Sequence, residues 1–303
     1  MKKILSWLLV LCMICSLLPA SVFTASAAAY SGECGRESSD SVQWSYDSDT
    51  CTLTISGSGY MMDYDSCGME FAPDVDDLSI RPWEDFITEV RTLVIEDGVK
   101  SIGCRAFLWG EEITKVILPE SLQWIGEDAF AECYALTQIA FPNRLESIGL
   151  CAFANCYALE EVVLPAGLTS IPSDAFACCE NLSKLYISGD VTYVDDYAFG
   201  ACVALEDVYY CGDASSWNRI EFGSDNECCT SATIHYNYVP IIAGDISGDG
   251  TLAVDDVIYV LKYVVGNVKE LTDEQIANAD LNGDGELTVI DAILVQKLIL
   301  EMV

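Results

Sequence analysis

The stretch ILPESLQWIGEDAF, residues 117–130, decides the fold, because its frame returns without gaps on either side. It recurs as VIEDGVKSIGCRAF (94–107), AFPNRLESIGLCAF (140–153), VLPAGLTSIPSDAF (163–176) and YISGDVTYVDDYAF (186–199), each step being 23 residues. Phe107, Phe130, Phe153, Phe176 and Phe199 form one column, each preceded by alanine. Val116, Ile139, Val162, Leu185 and Val208 form a second, and Leu136, Leu159, Leu182 and Leu205 a third. Apolar columns at such a period mark a solenoid, in which no unit can bury its apolar face alone and stacking supplies the core.

Within a unit, Thr137 to Phe141 alternates as a strand does, with Ile139 and Phe141 pointing inward. Pro119, Pro142 and Pro165 end the strands, since proline cannot donate to a ladder. The outward strand positions give two more columns. One runs Lys115, Gln138, Glu161, Lys184, Asp207; the other runs Ile117, Ala140, Val163, Tyr186, Tyr209. Mixed charge beside tyrosines suits a protein partner. Stacked Tyr186 and Tyr209 could equally platform a sugar, and an unused face is the third possibility.

Of the 15 cysteines, Cys133, Cys156, Cys179 and Cys202 recur every 23 residues, three places after the Ala-Phe corner. That regularity predicts position rather than pairing: buried, reduced thiols acting as small hydrophobes. One thiol per coil cannot give a tetrahedral zinc shell. Should bridges form, Cys34 with Cys51 and the group Cys211, Cys228 and Cys229 are the expected participants, because they stand outside the column.

The pattern LxxIxxPxxLxxIGxxAFxxCxx resembles the BspA-type leucine-rich repeat of bacterial surface antigens, over Ile87 to Tyr210. The resemblance implies a curved parallel-strand solenoid used in adhesion and protein binding. Ser31 to Tyr60, with Pro82 and Trp83, resembles the N-terminal cap of such proteins, and residues 215–237 their C-terminal cap. Terminal units depart from the pattern at Glu96, Gly110 and Ser188, as the ends of a solenoid do.

Beyond Pro240 the repeat stops, and two loops of twelve residues appear, DISGDGTLAVDD (245–256) and DLNGDGELTVID (280–291). Calcium takes six or more oxygens, which such a loop supplies from positions one, three, five, seven and twelve while glycine at six makes the turn. The first loop offers Asp245, Ser247, Asp249, the Thr251 carbonyl and Asp256. The second offers Asp280, Asn282, Asp284, the Glu286 carbonyl and Asp291. Two ions are therefore expected. Each loop leads into an apolar helix, with Val257, Val260, Leu261 and Val264 expected to pack in one and Ile293, Gln296, Lys297 and Leu300 in the other.

Aspartate instead of glutamate closes both loops, and no helix fits between Pro240 and Gly244. This resembles the type I dockerin of cellulosome-like assemblies, over Gly244 to Val303. Ser247 stands where asparagine is usual, and Ala253 and Thr288 occupy position nine. The resemblance implies calcium-dependent folding and docking to a cohesin on a scaffoldin or surface protein. It also implies contacts through Val254, Asp255 and Lys262 in the first copy and Val289, Ile290 and Lys297 in the second.

Lys2 and Lys3, an apolar run to Leu18 and the triplet Ala25-Ser26-Ala27 have the layout of a secretory signal. After its removal no span of ~20 apolar residues remains to cross a membrane. The formal charge moves from -34 to -36 with the loss of the two lysines, a field that disfavours nucleic acid. His235, the one histidine, lies in an alternating strand-like stretch and makes a poor general base.

The expected class is thus α/β: a leucine-rich-repeat solenoid of parallel strands with an N-terminal β cap, then a small α-helical domain of paired calcium loops. Its divisions are signal peptide 1–27, N-terminal cap 28–86, repeats with C-terminal cap 87–238, linker 239–243 and dockerin 244–303. The function expected is that of a secreted, non-catalytic adhesion protein, extracellular or held at the cell surface through cohesin. The alternative is a carbohydrate-binding or hydrolytic accessory of a polysaccharide-degrading complex.

Overall fold

The structure is a computed structural model in which residues 30–64, 80–239, 244–247, 252–268 and 270–301 are described. The signal segment lies outside them. Contacts divide the chain into a unit ending at Tyr238 and a C-terminal unit from Val239.

Each coil of the first unit contributes a three- or four-residue strand. Thr92–Ile95 pairs in parallel with Lys115–Ile117, beside the antiparallel cap strands Tyr30–Glu33, Gln43–Asp47 and Thr52–Ser56. A second ladder runs through Gln138–Ala140, Glu161–Val163, Lys184–Ile187, Asp207–Tyr210 and Thr233–Tyr236. Its register, Gln138↔Glu161↔Lys184↔Asp207, keeps each sequence column intact as a row of neighbours. The hydrogen-bonded ladder breaks between Lys115–Ile117 and Gln138–Ala140, so Lys115 belongs to a different sheet from the rest of its column. A shorter strand on the opposite side of each coil, such as Trp124–Ile125, precedes the Ala-Phe turn.

The phenylalanine column fills the interior. Phe107, Phe130, Phe153, Phe176 and Phe199 are fully buried, with successive ring centroids 5.2 to 5.7 Å apart. Burying one such ring is worth about 1.5–3 kcal/mol, so this column dominates any single polar contact in the coil. Alanine before each ring lets backbones close: the Phe107, Phe130, Phe153 and Phe176 amides donate to Ala129, Ala152, Ala175 and Ala198 of the next coil at 2.8–2.9 Å. Gly126 serves the same approach, since a Cβ there would lie 2.5 Å from the Cys104 amide nitrogen.

Cys133, Cys156, Cys179 and Cys202 are fully buried, and each thiol donates to the phenylalanine carbonyl of the preceding coil, Phe107, Phe130, Phe153 and Phe176, at 3.1–3.5 Å. The column is therefore polar in function as well as apolar in size. Every described cysteine is free, including Cys34, Cys51, Cys211, Cys228 and Cys229, so the bridges considered outside the column are not formed.

Both ends of the stack are sealed with the groups its polarity demands. In the Ala-Phe turns the amides point toward the next coil, so this row leaves carbonyls to satisfy at the first coil and amides at the last. At the first, the Trp83 indole N–H donates to Ala106 O at 2.6 Å and Arg81 Nη1 donates to Arg105 O and Leu108 O, at 3.2 and 2.5 Å. Trp83 also stacks on Phe107 at 5.7 Å, continuing the ring column. At the last, Asn226 Oδ1 accepts from the Phe199 amide at 3.0 Å while its Nδ2 donates to Asp195 O at 2.8 Å. The short helices α1 (Ala214–Trp217) and α2 (Glu227–Thr230) carry this second cap.

Candidate calcium loops and strand face

The C-terminal unit comprises α3 (Val254–Val264), α4 (Asp273–Ala279) and α5 (Val289–Glu301) around Ile246, Val260, Ala279, Ala292 and Val295. Val260 is buried and Val257 half-buried as expected, but Leu261 and Val264 are exposed. In α5 the expected face is the wrong one. Ile293, Gln296, Lys297 and Leu300 face solvent, and Ala292 with Val295 makes the contact. A run that is apolar on nearly every side gives periodicity nothing to discriminate. The sequence reading also passed over α4, although Thr272 and Gln275 form a capping box that signals a helix start.

Both loops are braced alike at their twelfth residue. Asp256 takes the Ser247 amide on Oδ1 at 3.0 Å and the Ala253 amide on Oδ2 at 2.9 Å. Asp291 takes the Asn282 amide at 3.4 Å and the Thr288 amide and hydroxyl at 2.8 and 3.0 Å. Both carboxylates are fully buried and Asp245 nearly so, yet no ammonium or guanidinium pairs with Asp256 or Asp291 among the described residues. Burial raises the Asp256 carboxyl above the usual carboxylate range, ahead of the opposing amide bonds.

Asp280 gathers the amides of Gly283, Asp284 and Gly285 at 2.8–3.2 Å, which wraps the second loop around its first carboxylate. Asn282 Oδ1 accepts from the Asp284 amide and Asp284 Oδ1 from the Glu286 amide. Among the described residues no three Asp, Glu, His or Cys side chains converge on a point. Buried carboxylates without a cationic side chain are costly, and hard oxygens at these positions match a divalent ion. The set fits calcium in kind and in loop position. Asp249 and Thr251 lie outside the described residues.

The residues expected to meet a partner of this unit start and flank the two main helices. Val254, Asp255 and Lys262 are exposed on α3, and Val289, Ile290 and Lys297 are exposed on α5.

On the strand face Gln138 and Ala140 are exposed, and Glu161, Lys184, Tyr186, Asp207 and Tyr209 are half-buried in adjacent rows. Tyr186 stacks on Tyr209 at 4.6 Å, and Tyr209 stacks on His235 at 4.5 Å. His235 Nε2 lies 2.7 Å from Asp207 Oδ1, and Tyr238 packs at 5.2 Å from both tyrosines. Burial raises the Glu161 carboxyl, against the lowering influence of Lys184. His235 and Tyr238 escaped the sequence columns because the cap inserts three residues: Tyr209 pairs with His235, 26 places on, outside the 23-residue frame.

Residues 87–223 match the BspA type leucine rich repeat region in six copies, and residues 243–300 match the dockerin type I domain. The chain therefore carries both families, and each is a non-catalytic module of adhesion or attachment. Dockerins of this type bind calcium and cohesins.

Among solved structures, a leucine-rich repeat protein from Eubacterium ventriosum is 21% identical over 62% of this chain and 45% of its own, with a TM-score of 0.47. The T. pallidum leucine rich repeat protein is 21% identical over 62% and 86%, TM-score 0.41, and the pneumococcal vaccine antigen PcpA 16% over 66% and 47%, TM-score 0.43. The chain thus spans under half the length of the E. ventriosum protein. No curated protein matches. No helix among the described residues is long and apolar enough to cross a membrane.

Proposed function

We propose that this chain is a secreted adhesion protein that binds a macromolecule through its strand face and is tethered to a cohesin through its dockerin, with one calcium ion in each loop. In this proposal residues 1–27 are removed on export, 28–86 and 87–238 form the capped repeat domain, and 239–243 link it to the dockerin at 244–303. Asp245, Ser247, Asp249, Thr251 and Asp256 hold the first ion, and Asp280, Asn282, Asp284, Glu286 and Asp291 the second. Val254, Asp255, Lys262, Val289, Ile290 and Lys297 meet the cohesin, held by a scaffoldin or a surface protein outside the cell.

The observation that carries the reading is the aromatic row on the strand face. A sugar needs an open ring face to stack on, but Tyr209 has Tyr186 on one side and His235 on the other. The row offers edges and hydroxyls, with Lys184, Glu161 and Asp207 alongside, which suits a protein surface better than a polysaccharide. The test is to measure binding of the full mature chain to arrayed host and microbial proteins and to plant polysaccharides. A protein ligand lost on Lys184→Glu combined with Tyr186→Ser and Tyr209→Ser is expected. Retention of a polysaccharide through that triple change, or hydrolysis lost with a single carboxylate, would replace this reading with that of an accessory of polysaccharide degradation.

A further inference from the structure

The helix between the two loops is short, yet its side chains reach backward into the first loop. Asn278 Nδ2 donates to the Asp245 carbonyl at 2.7 Å, and the Gly244 amide donates to the Asn278 carbonyl at 3.0 Å. Gln275 Nε2 donates to the Ile246 carbonyl at 3.0 Å. The same Gln275 amide accepts the Thr272 amide on Oε1 at 3.1 Å, so its orientation is fixed from both ends. At the other end of α4, one residue past Ala279, stands Asp280, whose amide closes the helix on Ile276 O at 2.9 Å and whose carboxylate opens the second loop. Ile246 and Ala279 are both fully buried in the unit's small core. The entrance of the first loop and the first carboxylate of the second are therefore two ends of one hydrogen-bonded lever.

We propose that Gln275 and Asn278 are positioning residues that couple the two calcium loops, so that filling the second raises the affinity of the first. The proposal rests on the calcium reading above. When Asp280 is fixed, α4 is fixed at its C-terminus, and Asn278 and Gln275 then hold Asp245 and Ile246 in place. The ordering cost of the first loop is met before its own ligand arrives. Such coupling is a property of the pair, so the second loop must gain from the first by the same factor.

The test is calcium titration calorimetry on the full mature chain. Asp284→Ala leaves the first loop to bind alone, and Asp256→Ala leaves the second. Each is expected to weaken the surviving site by the same factor, on the order of tenfold. With Asn278→Ala and Gln275→Ala also in place, both factors should fall to near one. Independent sites in the otherwise unaltered chain, or coupling that persists without these two amides, would overturn the proposal. Absence of any calcium uptake by the unaltered chain would instead remove the calcium reading itself. Should the amide variants fail to fold, hydrogen exchange at residues 244–247 replaces them. Calcium-loaded chain carrying Asp284→Ala should exchange faster there than the loaded parent, and equal protection would refute the coupling.

Discussion

A thiol is small enough for the crowded corner where four coils turn, and it still carries a hydrogen to donate. Because Cys156 Sγ donates to Phe130 O at 3.3 Å, a serine there finds an acceptor waiting instead of an unsatisfied site. Cys156→Ser is thus expected to cost under about 1 kcal/mol, whereas Cys156→Val, with no donor and added bulk, should cost about 1–3 kcal/mol. Denaturant unfolding of the two variants decides it, and equal losses would mean that the thiol acts by size alone. Burial also pushes the Cys156 thiol up to about 12, so native alkylation at neutral pH should spare it until denaturant is added. A different residue-scale effect sits at Ala201, exposed and held at φ 57°. Ala201→Gly should raise stability by about 0.5–1 kcal/mol, through relief of left-handed strain.

At the level of elements, the caps and the loops are the points where a single change has a local and predictable reach. Asn226→Ala strands the buried Phe199 amide and the Asp195 carbonyl, at about 1–3 kcal/mol for each group left unpaired. The loss should show first as faster hydrogen exchange at the last coil, residues 195–202, before global unfolding. In the dockerin, chelation should melt residues 244–303 while the repeat transition stays in place, and Asp291→Ala should reproduce that melting in saturating calcium. A tail equally folded in excess chelator would show the loops need no ion. Much of this was readable from sequence. The 23-residue period fixed which side chains face inward, because stacked coils repeat one environment, and the loop spacing identified the carboxylates that the fold braces. What escaped had physical reasons. The thiol-to-carbonyl bond depends on backbone geometry that composition does not carry. The packing face of α5 was lost because Ile293, Leu300 and Val295 are equally apolar, and only contact with α3 and α4 chooses Val295.

On the scale of the whole molecule, formal charge of -34 spread along the chain sets how partners approach. Association with a basic protein should be accelerated at low salt and slowed steeply as ionic strength rises, while the rate for a neutral polysaccharide should barely change. Stopped-flow measurements at several salt concentrations would separate the two classes of partner independently of affinity. His235 and Tyr238 enter here as well. Since they complete the row begun by Tyr186 and Tyr209, His235→Ala should reduce partner binding even though it breaks the repeat frame that made the other residues visible.

The one-way direction of the amide bonds along the Ala-Phe row reaches further than the fold. A row with donors emerging at one end and acceptors at the other makes a polymerisable edge, since the tail of one copy matches the head of the next. Such head-to-tail contacts do not close on themselves and run into fibres. Arg81 and Trp83 at one end and Asn226 at the other are then chain terminators as much as stabilisers. A variant lacking either cap should be judged by light scattering as well as by melting, because its first symptom at high concentration is expected to be filaments.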